Sequence, residues 1–466
     1  MTVEKISLLE QNDRKGEDSY REKLIALLSE DLDFHGQNNS SKLHALHSFP
    51  AKFPPQLPRK FISDLTSIND FVLDPMSGSG TTILEALLAH RHGIGFDIDP
   101  LAIKIGSAKT AALDSRTVIQ TGNEILQQAK LTCANSEDKL KLELENQWDK
   151  KTKEFIDYWF APQTQVELFA LIKEIKKIRD VDLRNFFELT FSSTIVTKSG
   201  GVSLALDLAH TRPHRAKTVT TKAGAMIVGQ KAEGETARNL FLTKILRSAF
   251  DEFEKRLKAN LNELIISAPK TIMTKVMFGN AEKMALPDNT VDLIVTSPPY
   301  VSNAIDYMRA HKFTLVWMGY PISKLGEMRG EYIGAEGTER IVFEILPPLT
   351  ARLISELAKV DERKSRVVHR YYSEMTRVLR EMYRVLKPGK AAIVVVGSSI
   401  IRGIDTETQN CLAEIGKDIG FEVPKIGVRN LDRNKRMLPA GYKVDLNSQI
   451  QNRMHQEFVI GFYKSE

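Results

Sequence analysis

The sequence predicts an α/β protein that combines a Rossmann-like sheet with a mainly helical inserted domain. Three short apolar runs, at residues 71–73, 93–96 and 291–295, each end in an acidic, glycine-rich or proline-rich turn. Such runs are typical of strands buried on both faces of a parallel sheet. About 180 residues separate Asp97 from Gly279, although neighbouring parallel strands need only a helix or two between them. The sequence therefore predicts that an inserted region interrupts the sheet.

Composition sets the broad class of the protein. The chain has 466 residues, 42% of them hydrophobic, and 65 basic against 59 acidic residues. This length predicts two to three domains, and the small positive excess permits a nucleic acid partner without demonstrating one. No apolar run is long enough to span a membrane, so a cytoplasmic location without a membrane partner is expected. The two cysteines, Cys133 and Cys411, have no partners at metal-ligand spacing, so neither a metal site nor a disulfide framework is expected.

The third apolar run ends in the most informative turn of the chain, Ser297-Pro298-Pro299-Tyr300. Proline lacks a backbone N–H, so the strand must end there. In open α/β sheets, ligands bind at the carboxyl edge of the strands. A rigid turn that offers a hydroxyl, unpaired carbonyls and an aromatic ring suits a flat polar group such as the amine of a nucleobase.

The first apolar run leads through Asp74 into a turn with Gly78 and Gly80, followed by the helical pattern of residues 83–88. Asp97 follows the next strand, about 20 positions later, where a carboxylate reaches a ribose in nucleoside-binding folds. A dinucleotide cofactor remains an alternative. Against it, the turn lacks a third glycine, and Asp74 would oppose a pyrophosphate. A cofactor with a positive sulfonium and an amino acid group suits this acid better.

In this order, the segments resemble those of S-adenosylmethionine-dependent amino-methyltransferases that modify cytosine N4 or adenine N6 in DNA. Asp74–Thr81 resembles the family's cofactor loop, with Met76 where Phe is more usual. Residues 47–55 resemble the segment that closes over the methionine end, and Gly279-Asn280-Ala281 resembles a Gly-Asp-Ala site near the adenine. The resemblance implies a Rossmann-like methyltransferase sheet with S-adenosylmethionine as cofactor. The implied cofactor-binding residues are Phe49, Lys52, Phe53, Asp74, Pro75, Met76, Gly78, Gly80, Thr81, Asp97, Ile98, Asn280 and Ala281.

The resemblance also implies catalytic roles for Ser297, Pro298, Pro299 and Tyr300. The Ser297 hydroxyl and the Pro298 carbonyl would accept the two N–H groups of the target amine, and Tyr300 would stack on a base flipped out of the duplex. Family members with Ser at this position tend to modify cytosine N4, and those with Asp or Asn tend to modify adenine N6. Methylation at C5 needs a cysteine nucleophile, and both cysteines lie far from such a turn.

Four regions are predicted along the chain: an N-terminal accessory segment (1–40), the cofactor-binding half of the catalytic domain (41–110), a helical insertion that is the candidate target-recognition region (111–275) and the catalytic half (276–466). Within the insertion, residues 136–195 and 235–266 have helical patterns. Basic clusters suggest DNA contacts at Lys198, Arg212, Arg215, Lys217, Arg309, Lys312, Arg433 and Arg436. The alternative, that these charges only face solvent, stays open.

The predicted function is methylation of cytosine N4 in double-stranded DNA, within a restriction-modification or related defence setting. A cognate restriction nuclease or defence-system subunit would be a partner, and the protein would associate with the nucleoid. Three alternatives are an adenine-N6 methyltransferase, an RNA base amino-methyltransferase and an inactive nucleic-acid-binding subunit. The intact residues Asp74, Gly78, Gly80, Ser297 and Tyr300 argue against loss of activity.

Overall fold

The computed structural model describes residues 19–35, 42–49, 54–208, 213–230, 242–264, 271–301, 306–339, 341–431 and 456–466. Five of the predicted contact residues lie outside this part of the chain: Lys52, Phe53, Arg212, Arg433 and Arg436.

The described strands and helices alternate in the first and last thirds of the chain, and helices dominate between them. The strands are β1 (Phe71–Asp74), β2 (His92–Asp97), β3 (Thr218–Thr220), β4 (Met226–Val228), β5 (Thr243–Ile245), β6 (Thr274–Phe278), β7 (Val291–Thr296), β8 (Leu386–Val396), β9 (Ile400–Ile401), β10 (Ile404–Asp405), β11 (Glu422–Asn430) and β12 (Gln456–Lys464). The α-helices are α1 (19–29), α2 (Gln56–Leu65), α3 (Thr81–Leu88), α4 (Pro100–Thr110), α5 (Ser115–Gln147), α6 (Lys150–Trp159), α7 (Pro162–Lys176), α8 (Val181–Ile195), α9 (Ala249–Leu261), α10 (Met308–Met318), α11 (Ile322–Gly330), α12 (Pro348–Val360), α13 (Glu362–Val385) and α14 (Thr408–Ile419).

Seven of these strands form the central sheet, in the order β11-β12-β8-β7-β1-β2-β6. The five strands from β8 to β6 are parallel, and β12 is antiparallel to both of its neighbours. From β1 the chain continues to β2 and β6 on one side, and later to β7 and β8 on the other. The strand order therefore reverses between β1 and β7, and ligands bind beside such a switch point. This arrangement confirms the predicted α/β sheet.

Strand β7 shows why the apolar runs form the centre of the sheet. All six of its residues are buried, and Leu293 and Ile294 pair with Val72 and Leu73 of β1. Successive side chains point to opposite faces of a strand. Accordingly, Leu293 packs in one hydrophobic core and Ile294 in another. Burial on both faces explains the nearly continuous apolar sequence of this strand.

Helix α1, in the described part of the N-terminal segment, packs onto the sheet. Leu24 and Leu28 of α1 are buried in the core that also contains Val295 of β7 and Val395 of β8. A Cβ added at Gly461 of β12 would lie 2.4 Å from Leu28 Cδ1, so glycine permits this close approach of helix and strand. The predicted accessory segment therefore shares a core with the sheet.

The region between β2 and β6 is mainly helical, as predicted, and it also contains the small sheet β4-β3-β5. Part of the helix predicted over residues 235–266, at 235–241 and 265–266, lies outside the described residues. Within the described residues, α9 covers Ala249–Leu261, and the prediction was wrong for residues 243–245, which form β5. The helices of this region share a core with α10, in which Phe187, Phe313 and Trp317 are buried. None of the helices in the described ranges is both long and apolar enough to cross a membrane.

Candidate active site

A cavity of about 570 Å³ lies at the carboxyl edge of the sheet, beside the switch point. Its volume falls in the range typical of small-molecule sites. The predicted residues that line it are Phe49, Pro75, Met76, Gly78, Thr81, Asp97, Ile98, Asn280, Ala281, Ser297, Pro299 and Arg309. Asp74, Gly80, Pro298 and Tyr300 do not line the cavity. The structure thus brings most of the two predicted sets of residues together around one space.

The glycine-containing loop after β1 has a shape that requires its glycines. Gly80 has a φ of +74°, and a Cβ at this position would lie 2.8 Å from the Gly106 Cα. The loop is closed by a bond from Gly80 N–H to the Ser77 carbonyl at 2.7 Å. Gly78 also has a positive φ, of +48°, and its N–H donates to Asp97 Oδ2 at 2.8 Å. Helix α3 can therefore begin in close contact with α4.

Asp97 holds this loop in place and also lines the cavity. Its Oδ2 accepts from Gly78, and its Oδ1 accepts from the Asp99 N–H at 2.9 Å. Burial raises the pKa of Asp97 to about 7, and the nearby Asp99 carboxylate adds to the effect. Each carboxylate oxygen has a second lone pair, so Asp97 can still accept a hydroxyl from a ligand. The group is poised to gain or lose a proton near neutral pH.

Asp74 lies just behind the lining of the cavity. Its Oδ1 accepts from the Thr296 hydroxyl at 2.7 Å and from the Met76 N–H at 3.2 Å. The carboxyl is 1% exposed, and burial raises its pKa to about 6. Asp74 therefore joins the ends of β1 and β7, while its contact with a cofactor stays a prediction.

A second buried acid, Asp99, joins three elements at the same edge, and the sequence analysis did not identify this network. It caps α4 by accepting from the Leu101 N–H at 2.8 Å. Its Oδ2 lies 2.6 Å from His311 Nδ1 and accepts from the Tyr332 hydroxyl at 2.9 Å. Burial alone would raise the pKa of Asp99, but His311 and Tyr332 hold it below its ordinary value. The Asp99-Pro100 pair is a typical helix start, so the cap was detectable, but its two distant partners were not.

Aromatic rings form one side of the cavity. Phe49 and Tyr307 both line it, and their rings are stacked with centroids 4.8 Å apart. The Phe49 ring also covers Gly78, because a Cβ at that glycine would lie 3.5 Å from the ring. This contact places the segment before β1 over the glycine loop.

The turn after β7 is anchored by side chains, since its two prolines cannot donate backbone hydrogen bonds. The Ser297 hydroxyl donates to the Val395 carbonyl of β8 at 3.2 Å. A hydroxyl has one hydrogen and two lone pairs, so the Ser297 oxygen retains the capacity to accept a hydrogen bond while its hydrogen is donated to Val395. The Tyr300 hydroxyl donates to Glu457 Oε1 of β12 at 3.0 Å.

The remaining wall of the cavity is formed by the end of α11 and residues 331–337, which sequence reasoning missed. The buried pair Arg370 and Glu374 of α13 holds this wall. Arg370 donates to the Gly330 carbonyl at 2.9 Å, and Glu374 accepts from the Gly334 N–H at 2.8 Å. The glycines at 326, 330, 334 and 337 were the only local signal for a close-packed turn here.

The predicted DNA-binding residues have different surroundings. Lys198 and Lys217 are exposed. The Arg215 guanidinium lies 4.6 Å from the centre of the Tyr158 ring, and Lys312 Nζ lies 5.3 Å from the centre of the Phe155 ring. Burial lowers the pKa of Lys312.

Arg309 faces the cavity as part of a small charged cluster. Its Nε donates to Asp306 Oδ2 at 2.9 Å, and Arg329, which the sequence analysis did not identify, lies 2.7 Å from the same oxygen. Both arginines line the cavity.

The residues present fit a nucleoside cofactor that carries an amino acid group. Ser77 lines the cavity, and its buried hydroxyl has no hydrogen-bond partner among the described residues, which leaves a polar group beside the cavity for a ligand. Asp97 supplies a ribose acceptor, and Asn280 supplies an amide beside the carboxyl end of β6. In the described part of the chain, no group of three or more His, Cys, Asp or Glu side chains is arranged to hold a metal ion.

Comparison with known proteins adds an independent line of support. A family model described as DNA methylase, of the N6/N4 methyltransferase class, matches residues 3–108. The type II methyltransferase M.MvaI of Kocuria varians is 23% identical over 404 residues, which is 83% of this chain and 83% of that protein. The type II methyltransferase M.BsoBI of Geobacillus stearothermophilus is 21% identical over 438 residues, 84% of this chain and 80% of that protein.

These matches support a DNA amino-methyltransferase of the N4/N6 class. The family match includes the glycine loop and Asp97 and ends before β6. Among solved structures, a SAM-dependent methyltransferase from Methanosarcina mazei aligns with a TM-score of 0.28 and 12% identity, covering 87% of this chain and 98% of that one.

Proposed function

We propose that this chain transfers a methyl group from S-adenosylmethionine to the exocyclic N4 amine of cytosine in DNA. The observation that carries the proposal is the position of Ser297. Its hydroxyl lines the same cavity as the glycine loop and Asp97, and its hydrogen is donated to the Val395 carbonyl. The oxygen therefore presents acceptor lone pairs to a ligand amine.

The cofactor-binding roles follow from the lining of the cavity. Asp97 and Ser77 would hold the ribose and its neighbouring polar groups, and Asn280 and Ala281 would lie near the adenine; all four residues line the cavity. Phe49 and Tyr307, whose rings stack on each other at the cavity, would enclose the methionine end. When bound, S-adenosylmethionine supplies a methyl group on a positively charged sulfur. A buried site without competing water strengthens the interaction of Asp97 with its ligand.

An exocyclic amine is a weak nucleophile because its lone pair is conjugated into the base. Ser297 accepts one N–H of this amine. The resemblance assigns the other N–H to the carbonyl of Pro298, the next residue in the turn, which does not itself line the cavity. Both bonds draw the nitrogen toward tetrahedral geometry and direct its lone pair at the methyl group. Orientation and hydrogen bonding supply the catalysis, and no covalent bond to the protein is needed.

The substrate that this chemistry requires is a base flipped out of duplex DNA, since a paired base does not fit into such a cavity. The exposed Lys198 and Lys217, together with Arg309 at the cavity, supply positive charge for the phosphate backbone. A DNA substrate implies a cytoplasmic, nucleoid-associated protein. The similarity to type II methyltransferases supports a restriction-modification setting, with a cognate nuclease as partner.

Labelled S-adenosylmethionine tests the proposal directly. We expect label to enter duplex DNA and not RNA when each is incubated with the purified protein. A Ser297→Ala variant serves as the control, because it keeps the lining of the cofactor half. Label that enters only RNA would refute the DNA assignment, and equal labelling by the variant would refute the role of Ser297. Absence of label with the wild-type protein would favour a binding subunit without activity.

A further inference from the structure

The turn that carries Ser297 is held in place from three sides. Ser297 donates to Val395 of β8 at 3.2 Å, and the Ser399 hydroxyl donates to the Val301 carbonyl at 2.9 Å. The third bond runs from the Tyr300 hydroxyl to Glu457 Oε1 of β12 at 3.0 Å. This last bond is the one that links the turn to a strand of the sheet's antiparallel edge.

Glu457 is a buried carboxylate whose two oxygens have different partners. It is 8% exposed, and its Oε2 accepts a hydrogen bond from Arg429 of β11. Arg429 and Glu457 face each other directly in the antiparallel ladder, and the Arg429 side chain is 12% exposed. A buried charge is tolerated when it is paired and hydrogen-bonded, and Glu457 meets both conditions.

Strand β11, which carries Arg429, also makes hydrogen bonds to the segment that follows α1. The N–H of Asn430, next to Arg429, donates to Asp33 Oδ1 at 2.5 Å, and its carbonyl oxygen lies 3.0 Å from His35 Nε2. Glu457 is followed by Phe458, which pairs with Val396 at the carboxyl end of β8. The carboxylate is thus fixed at the same edge of the sheet as the cavity.

We propose that Glu457 and Arg429 are positioning residues that fix the Tyr300 ring, and with it the base-binding side of the Ser297 turn. This inference rests on the proposed function. Arg429 holds the carboxylate and the carboxylate holds the Tyr300 hydroxyl, so the whole Tyr300 side chain cannot swing about χ1 without breaking a buried hydrogen bond. Two prolines stand between Ser297 and Tyr300, so the turn is stiff and a displacement of Tyr300 is transmitted to Ser297.

Removal of the Glu457 carboxylate should lower the rate of methyl transfer without weakening cofactor binding. Small displacements of a positioning group can cost roughly a hundredfold in rate. Without the carboxylate, the Tyr300 hydroxyl and the Arg429 guanidinium both lose a buried partner. The glycine loop, Asp97 and Ser77 have no contact with this network in the hydrogen bonds of the described residues, so binding of the cofactor should not change.

A double-mutant cycle tests the proposal. The variants are Tyr300→Phe, which removes only the hydroxyl, Glu457→Ala and the combination of both. We expect Glu457→Ala to lower kcat for DNA methylation by about tenfold or more, with an unchanged Kd for S-adenosylmethionine in calorimetry. The double variant should be no slower than Glu457→Ala, because the two side chains act through one bond.

Glu422→Gln is the matched control on the same pair of strands. Its carboxylate lies 2.8 Å from the Arg21 guanidinium, and the side chains of Arg21 and Glu422 are 40% and 42% exposed. Surface pairs contribute little, so this variant should keep wild-type activity. Unchanged kcat in Glu457→Ala, or losses that add in the double variant, would overturn the inference. Absence of methylation by the wild-type protein would instead refute the proposed function.

Discussion

Replacement of Gly80 by alanine tests the packing of the cofactor loop with a matched control. Gly80 has a φ of +74°, and its added Cβ would lie 2.8 Å from the Gly106 backbone. A left-handed conformation costs an alanine roughly 1–2 kcal/mol, and overpacking against a fixed backbone costs about 1–3 kcal/mol more. We therefore expect Gly80→Ala to lower the free energy of unfolding by about 2–5 kcal/mol.

Gly403 provides the control for the backbone contribution alone. It has a φ of +84°, and no atom lies within 4 Å of its added Cβ. Gly403→Ala should therefore cost only roughly 1–2 kcal/mol. Urea unfolding, followed by circular dichroism, measures both variants. The affinity for S-adenosylmethionine should fall more in Gly80→Ala, because only this glycine belongs to the loop that lines the cavity.

Equal destabilisation by the two alanines would refute this reasoning. It would mean that α3 and α4 do not approach each other as closely as the 2.8 Å contact requires. An unchanged affinity for S-adenosylmethionine in Gly80→Ala would refute the role of the loop.

Four further predictions concern the site and its charges. Because the pKa of Asp97 is about 7, the carboxylate that we propose as the ribose acceptor is protonated below neutrality. The Kd of S-adenosylmethionine should therefore rise about tenfold from pH 8 to pH 6, and a flat profile in calorimetry would contradict this. Without ligand, the same raised pKa gives a stabilising contribution that is complete below the unfolded-state pKa and is lost as the pH rises through 7, which pH-dependent urea unfolding checks. Ser297→Ala should lower kcat by roughly 10²–10³ and leave cofactor binding intact, as single-turnover assays will show; full activity would contradict it. Removing both Lys198 and Lys217 should reduce the salt dependence of DNA binding by about one unit for each lysine, and an unchanged slope would place them away from DNA.

Much of the fold was predictable because the burial that forms it leaves a local signal. Strand β7 is apolar throughout since both of its faces are buried, and the prolines mark its end. Gly78 and Gly80 stand where the backbone takes positive φ values, so they also leave a local signal. For the same reason, the sequence predicted the loop that lines one side of the cavity.

The partners of the site residues were not predictable, because they come from remote parts of the chain. His311 lies 212 positions from Asp99, and Glu457 lies 157 positions from Tyr300. No periodicity or spacing connects such pairs. Similarly, nothing in the sequence indicated that Lys312 Nζ would lie 5.3 Å from the centre of the Phe155 ring, and the phosphate contact of Lys312 stays a prediction. Position in a charged segment does not reveal which side chains remain exposed.

The identity of the methylated nucleoside tests the central claim most directly. Duplex DNA of mixed sequence is incubated with the wild-type protein and labelled S-adenosylmethionine, digested to nucleosides and separated by chromatography with mass spectrometry. The serine at position 297, where the resembling enzymes that modify cytosine N4 tend to have Ser, predicts N4-methylcytosine. Label in N6-methyladenine instead would contradict the assignment of the base.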